Sequence, residues 1–425
     1  MITAIVVVFT ALSLLSVPLA FAIGLAGAAG IVFFSPFPLA ILIQKMVTGI
    51  DNFVLVAIPL FILTGNLMNA GGITDRIFGF VRRCVGHWRG GLAHANVGAS
   101  VVFAGISGSA VADAAGLGAV EVKAMTDAGY PRDFSAAVSA ASSVIGPIVP
   151  PSIPLILYAV IAEVSVGQLF AAGLVPGLIL ALSLSVMIMV MDRRMRFPRD
   201  ARSSWGERGR TLLRSFFALA TPLVILFGLL GGIFTPTEAG AVAAGYALVI
   251  SLFVYRTLRL RDLPKVMVDT MVTSAVVLFI IAAISPFSWS LVITRSAAGF
   301  VDAIRAISDD PLVVLLLINI LLLVLGAFVE AGAVLVLMTP LLVPLASALG
   351  VDLVHFGIIM VLNLMIGCAT PPVGMSLFVT AHVAGISVER MMRAILPFLW
   401  PMLATLVLVT YWPALSLTIP TLLFR

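Results

Sequence analysis

Apolar runs near or above bilayer-spanning length recur through this chain, at 3 to 34, 53 to 68, 162 to 191, 215 to 234, 239 to 255, 266 to 294, 311 to 329 and 391 to 418. Roughly 20 helical residues cross the hydrocarbon of a bilayer. No water there bonds a bare backbone, so each run must satisfy its own amides. An all-α polytopic membrane protein follows. Charged residues make up 10% of the 425-residue chain and 61% is hydrophobic, where soluble domains carry about 25% charge. The first run has no basic residue before it and so lacks the n-region of a cleavable secretory signal; it is expected to be a membrane helix. Cys84 and Cys368 allow one disulfide at most and no zinc site.

The net charge of +5 is unevenly spread. The most polar stretch, 192 to 214, carries Arg193, Arg194, Arg196, Arg199, Arg202, Arg208, Arg210 and Arg214 against Asp192, Asp200 and Glu207. Between membrane helices such a segment fits the bias of basic residues towards the cytoplasm better than nucleic-acid binding, and no nucleic-acid partner is expected. It reads as a basic cytoplasmic linker between two halves, 1-191 and 215-425.

Those halves repeat. Gly146-Pro147-Ile148-Val149-Pro150-Pro151 returns as Gly367-Cys368-Ala369-Thr370-Pro371-Pro372, an offset of 221 that also relates Gly105 to Gly326. Other basic clusters are Arg82, Arg83 and Arg89; Arg256, Arg259, Arg261 and Lys265; and Arg390 and Arg393. At the same offset the counterpart of the first, 303 to 310, mixes Arg305 with Asp309 and Asp310, while 35 to 44 and 169 to 172 contain no charge. Where one half is basic the other is not, which favours inverted-topology repeats over a duplication without topological meaning.

Pro147, Pro150, Pro151 and Pro154 cannot sit in an unbroken helix, because proline lacks a donor and clashes with the preceding turn. A break inside hydrocarbon is tolerated only when buried in protein or lining a wet cavity. Paired breaks in two halves point to a transport site near the bilayer midplane. Broken helices are expected near 134-158 and 355-386. The run from Gly105 to Ala112 is rich in glycine and small residues that permit a tight reversal. It predicts a re-entrant hairpin near 92-113, with a second near 312-349. Carbonyls and the Ser107 and Ser109 hydroxyls suit a hard cation, and the amino ends of restarted helices suit a carboxylate. Small residues also serve plain helix packing, the expectation for Ala114, Ala115 and Gly118.

The stretch from Phe103-Ala104-Gly105-Ile106-Ser107-Gly108-Ser109 to Asp113, and Ala141-Ser142-Ser143-Val144-Ile145-Gly146 through Pro151-Ser152-Ile153, resembles the large membrane subunit of TRAP (tripartite ATP-independent periplasmic) transporters. So do Ile58-Pro59 through Asn66, Gly232 through Ala239, and His355 through Gly374, and the likeness covers nearly the whole chain. The resemblance implies a sodium-driven importer of organic acids in the bacterial inner membrane. In that family a periplasmic substrate-binding protein delivers the acid and a small four-helix membrane subunit, expected here as a separate chain, braces the large one. It implies an elevator-type transport domain sliding against a scaffold. Ser107, Gly146, Val149 and Pro151 would hold one sodium ion, and Gly326, Gly367, Thr370 and Val373 a second. Ser109, Asp113, Ser143, Pro150, Pro371 and Asn66 are candidates for the substrate. Cys368 stands where a larger apolar residue is expected.

Asp113, Glu163, Glu238 and Glu330 lie in or beside apolar runs, where an acid is costly and usually functional or paired. Asp113 is expected to titrate or to pair with a cation. For Glu238 a helix start at Thr235-Pro236 and a functional role weigh evenly, as do pathway lining and interhelical bonding for Asn66, Asn96 and Asn363. His87, His94, His355 and His382 are scattered, and most are expected in loops or interfaces. The chain carries no HExxH, P-loop or nucleophile beside a base, which argues against a membrane-embedded enzyme. A channel fits paired broken helices less well than alternating access does. A stand-alone sodium/dicarboxylate symporter of the same hairpin plan is the alternative within transporters.

Overall fold

The structure, a computed structural model, describes residues 2–15, 17–34, 37–294, 299, 304 and 308–424; Arg305 lies outside them. Five helices open the chain: α1 (Ile2–Leu14), α2 (Leu19–Phe34), α3 (Ala40–Ile50), α4 (Ala57–Ala70) and α5 (Ile73–Val85). Then come α6 (Gly91–Ser107), α7 (Ala110–Ala115), α8 (Leu117–Asp127), α9 (Arg132–Ser143), α10 (Ile153–Ala162) and the long α11 (Val166–Met195). The second half holds α12 (Trp205–Leu230), α13 (Pro236–Val249), α14 (Leu263–Ile293), α15 (Pro311–Phe328), α16 (Ala331–Ala348), α17 (Leu353–Cys368), α18 (Met375–Ala384), α19 (Val388–Tyr411) and α20 (Ala414–Leu423). Eight segments among the described residues are long and apolar enough to cross a membrane.

Two expected spans are divided by local chemistry. The run 3 to 34 is two helices parted before Pro18, and 391 to 418 ends one helix at Tyr411 and starts another after Pro413; both prolines stand at helix starts, where a missing donor is tolerated. The polar stretch 192 to 214 is mostly helical: α11 runs to Met195, and α12 starts behind Ser204, whose hydroxyl and Glu207 form a reciprocal cap. Only 196 to 204 is non-helical. Thr235 and Glu238 cap α13 in the same way, with Pro236 in its first turn, so the helix-start reading accounts for this acid.

At the offset of 221, α6 overlies α15, α9 overlies α17, α10 overlies α18, and α7 and α8 together overlie α16. Their packing is reciprocal. Helix α7 lies on α18 while α10 lies on α16; α9 lies on α19 while α11 lies on α17; α4 lies on α13 while α2 lies on α14. At the centre sit α9 and α17, buried on every face from Phe134 to Ser143 and from Val354 to Cys368, the pattern of helices enclosed by others.

The linker is strapped across the molecule. Phe197 stacks on Tyr130 and Phe134 at centroid distances of 4.9 and 4.2 Å, and its amide donates to Asp192 Oδ1 at 3.0 Å. The Tyr130 hydroxyl donates to the Pro198 carbonyl at 2.9 Å. Three residues past Phe197, Asp200 pairs with Arg82 of α5 at 2.7 Å, and its amide donates to the Gly86 carbonyl.

Candidate functional site

Four chain breaks meet in two pairs. In the first half α6 ends at Gly108, whose φ of +61° suits a residue without Cβ, and Ser109 restarts the chain as the N-cap of α7. A Cβ at Gly108 would lie 2.8 Å from the Pro151 carbonyl oxygen, so this tip rests on the unwound segment between α9 and α10. That segment contains the cis Pro150-Pro151 bond and is closed by Ser152, whose hydroxyl donates to the Pro147 carbonyl and accepts from Leu155 N at 3.2 Å. Gly105, expected in the reversal, is helical instead. Its bare Cα admits Pro222 of α12, whose Cβ would come within 2.4 Å of an added methyl.

In the second half Val329 is extended and Glu330 caps α16, its two carboxylate oxygens accepting from Gly332 N at 2.9 Å and Ala333 N at 2.7 Å. The unwound segment between α17 and α18 contains the cis Pro371-Pro372 bond. It is tied to the facing hairpin through Val373 N and Gly374 N, both donating to the Ala327 carbonyl. Gly367 lies so close to Gly326 that an added Cβ would sit 2.8 Å from the Gly326 Cα.

The structure therefore gathers each expected ion set at one break. Gly326, Gly367, Thr370 and Val373 are linked by the Gly326–Gly367 contact, the Thr370 N to Gly367 O bond and the Val373 tie. Gly146, Val149 and Pro151 share one unwound segment against the tip that follows Ser107. The surroundings differ. Residues 141 to 152 are all buried, with Ile148 and Val149 sealed beneath Gly173 and Gly177 of α11. Pro372 and Val373 are exposed.

Between the breaks lies a cavity of about 630 Å³ whose wall includes Asn66, Ser107, Ser109, Pro147, Glu330 and Met375. Its size is that of pockets for small organic ligands. Of the substrate candidates, Ser109 and Asn66 line it; Asp113, Ser143, Pro150 and Pro371 do not. Ser143 turns its hydroxyl back to the Ala140 carbonyl at 2.9 Å, and Asp113 faces Gly146 behind the first tip. Asn66 also donates to Thr270 Oγ1 at 3.0 Å. Sequence reasoning passed over Asn69, which lines the same wall one helical turn beyond Asn66; that i, i+3 spacing on α4 is the signal that finds it.

Asn96 and Asn363 are interhelical: Asn96 donates to Ser139 at 2.6 Å and accepts from Ser142, and Asn363 donates to Asn319 Oδ1 at 2.7 Å. His355 is buried between Ser416 and Thr410. Cys84 and Cys368 are free thiols.

The sequence profile of the DctM component of tripartite ATP-independent periplasmic transporters matches residues 6–415. The chain belongs to this family. It is 46% identical over 379 residues to the sialic acid TRAP transporter large permease protein SiaM of Vibrio cholerae, covering 89% of each chain. It is 40% identical over 398 residues to the C4-dicarboxylate TRAP transporter large permease protein DctM of Pseudomonas aeruginosa, covering 94% of this chain and 93% of that one. The fold is similar to the crystal structure of the Alcanivorax borkumensis YdaH transporter, with a TM-score of 0.63 over 88% of this chain and 89% of that one at 16% identity. This DctM-family chain is a multi-pass transport protein and not an enzyme.

Proposed function

We propose that this DctM-family chain is the membrane path of a sodium-coupled importer of an organic acid in the bacterial inner membrane. A periplasmic binding protein hands over the acid, and a small membrane subunit braces the chain. The observation that carries the reading is the meeting of four breaks in two pairs beside one cavity, the arrangement expected of alternating access around paired sites. Hard cations prefer oxygen, and each break offers carbonyls with a nearby hydroxyl, Ser107 at the first and Thr370 at the second.

Transport then proceeds by an elevator between inverted halves. Helices α1 to α5 and α12 to α14, with the reciprocal α4–α13 and α2–α14 packing, form the scaffold; the hairpins and broken helices move. Holding a thousandfold gradient takes about 4.1 kcal/mol, and each net positive charge entering across 100 mV supplies about 2.3 kcal/mol. A dicarboxylate entering with two sodium ions gains nothing from voltage and draws on the sodium gradient alone; a monocarboxylate gains from both.

The test is uptake into liposomes holding the large and small subunits, with the cognate binding protein and its acid outside. Accumulation should require an inward sodium gradient. Equal accumulation with choline in place of sodium ends the sodium reading.

A further inference from the structure

We infer that the Asp113 carboxylate is the charge partner of the cation at the first break, which makes the two repeated sites unequal. The inference rests on the sodium reading above. Asp113 lies on α7 with 2% of its surface exposed. The Ser107 hydroxyl approaches its carboxyl, but neither oxygen completes a hydrogen bond of normal geometry, and no ion pair among the described residues includes it. A carboxylate in such a place is costly unless a proton or a compensating cation neutralises it.

The backbone supplies the place for that cation. A Cβ added at Gly146 would fall 2.1 Å from Asp113 Oδ2, so the carboxylate lies against residue 146 only because that residue is glycine. Gly146 and Ser107 belong to the first ion set, and Asp113 therefore adds a full negative charge to a shell otherwise made of neutral oxygens.

The second break has no equivalent. The residue 221 after Asp113 is Val334, apolar and buried. The nearby acid, Glu330, has both oxygens engaged by the amides of Gly332 and Ala333. Glu330 itself stands 221 after Ser109, the other N-cap, so the second half uses its acid to start a helix and the first half leaves its acid free. Attraction to a unit charge at contact makes the first site the tighter of the two.

The experiment is a sodium titration of thermal stability on the purified complex of large and small subunits, without substrate, with choline chloride keeping ionic strength constant. Sodium should stabilise the parent. In Asp113→Asn the tighter phase of that stabilisation should move to about a hundredfold higher sodium, and in choline alone the variant should melt no lower than the parent, because removing an unpaired buried charge costs nothing. A parental sodium titration in Asp113→Asn overturns the inference. So does a variant that melts lower or fails to fold in choline, since that marks a structural role. A parent indifferent to sodium defeats the sodium reading itself, a separate result.

Discussion

Single residues at the breaks are held by what a side chain would displace. Gly367 is needed because its Cα packs on the backbone of Gly326, which cannot swing aside as a side chain can. Gly367→Ala should cost roughly 1–3 kcal/mol of stability and abolish uptake. Gly245→Ala on α13, where a Cβ meets nothing within 4 Å, should leave stability unchanged or raise it by about 0.4–1 kcal/mol; chemical denaturation of both variants checks the contrast. Thr370 donates its hydroxyl proton to the Ile366 carbonyl at 2.7 Å, leaving its lone pairs for an ion. Thr370→Val keeps the shape and removes that oxygen, so the sodium concentration for half-maximal uptake should rise. An unchanged sodium dependence would remove Thr370 from the second site.

Among the elements, the segment 196 to 204 touches both the proposed moving unit and the scaffold. Phe197 is pinned to α9 and its entry turn, and Asp200 to α5. Three residues span at most roughly 11 Å, so a larger slide must release one pin. The weaker is Arg82–Asp200, whose side chains are 37% and 30% exposed; such a pair contributes about 0–1 kcal/mol. Arg82→Gln should therefore change stability by less than about 1 kcal/mol while altering the rate of uptake. Phe197→Ala empties a stacked, buried position and should cost roughly 3 kcal/mol. Thermal melts beside initial uptake rates separate the two; equal rates in Arg82→Gln and the parent would show that this pin does not open during transport.

At the scale of the molecule, the large subunit alone should be inert for uptake and should gain transport when the small subunit and binding protein are added. Transport by the large subunit alone in liposomes would refute this dependence. Much of the architecture was legible in the sequence. The prolines at 147, 150 and 151 and at 371 and 372 mark the breaks because the missing donor acts locally, and Thr235-Pro236-Thr237-Glu238 announces its own helix start. Other features were not legible. Nothing near Gly105 in sequence says that Pro222 packs there, and nothing near Ser143 says that its hydroxyl turns away from the cavity. The linker's charge marked it as polar, but the stacking of Phe197 that fixes its path is a contact with residues more than 60 positions away.

The sequence by itself determined the helical membrane class, most of the spans, the offset of 221 and the positions of the proline breaks, because backbone satisfaction in hydrocarbon and proline geometry are settled within a few neighbouring residues. Only the tertiary structure decided that the first break is sealed under α11 while part of the second is exposed. It alone showed that Glu330 is engaged by two amides while Asp113 is buried without a hydrogen bond of normal geometry. Burial and charge pairing depend on what distant segments bring to one point, and two halves written to one plan meet different surroundings there.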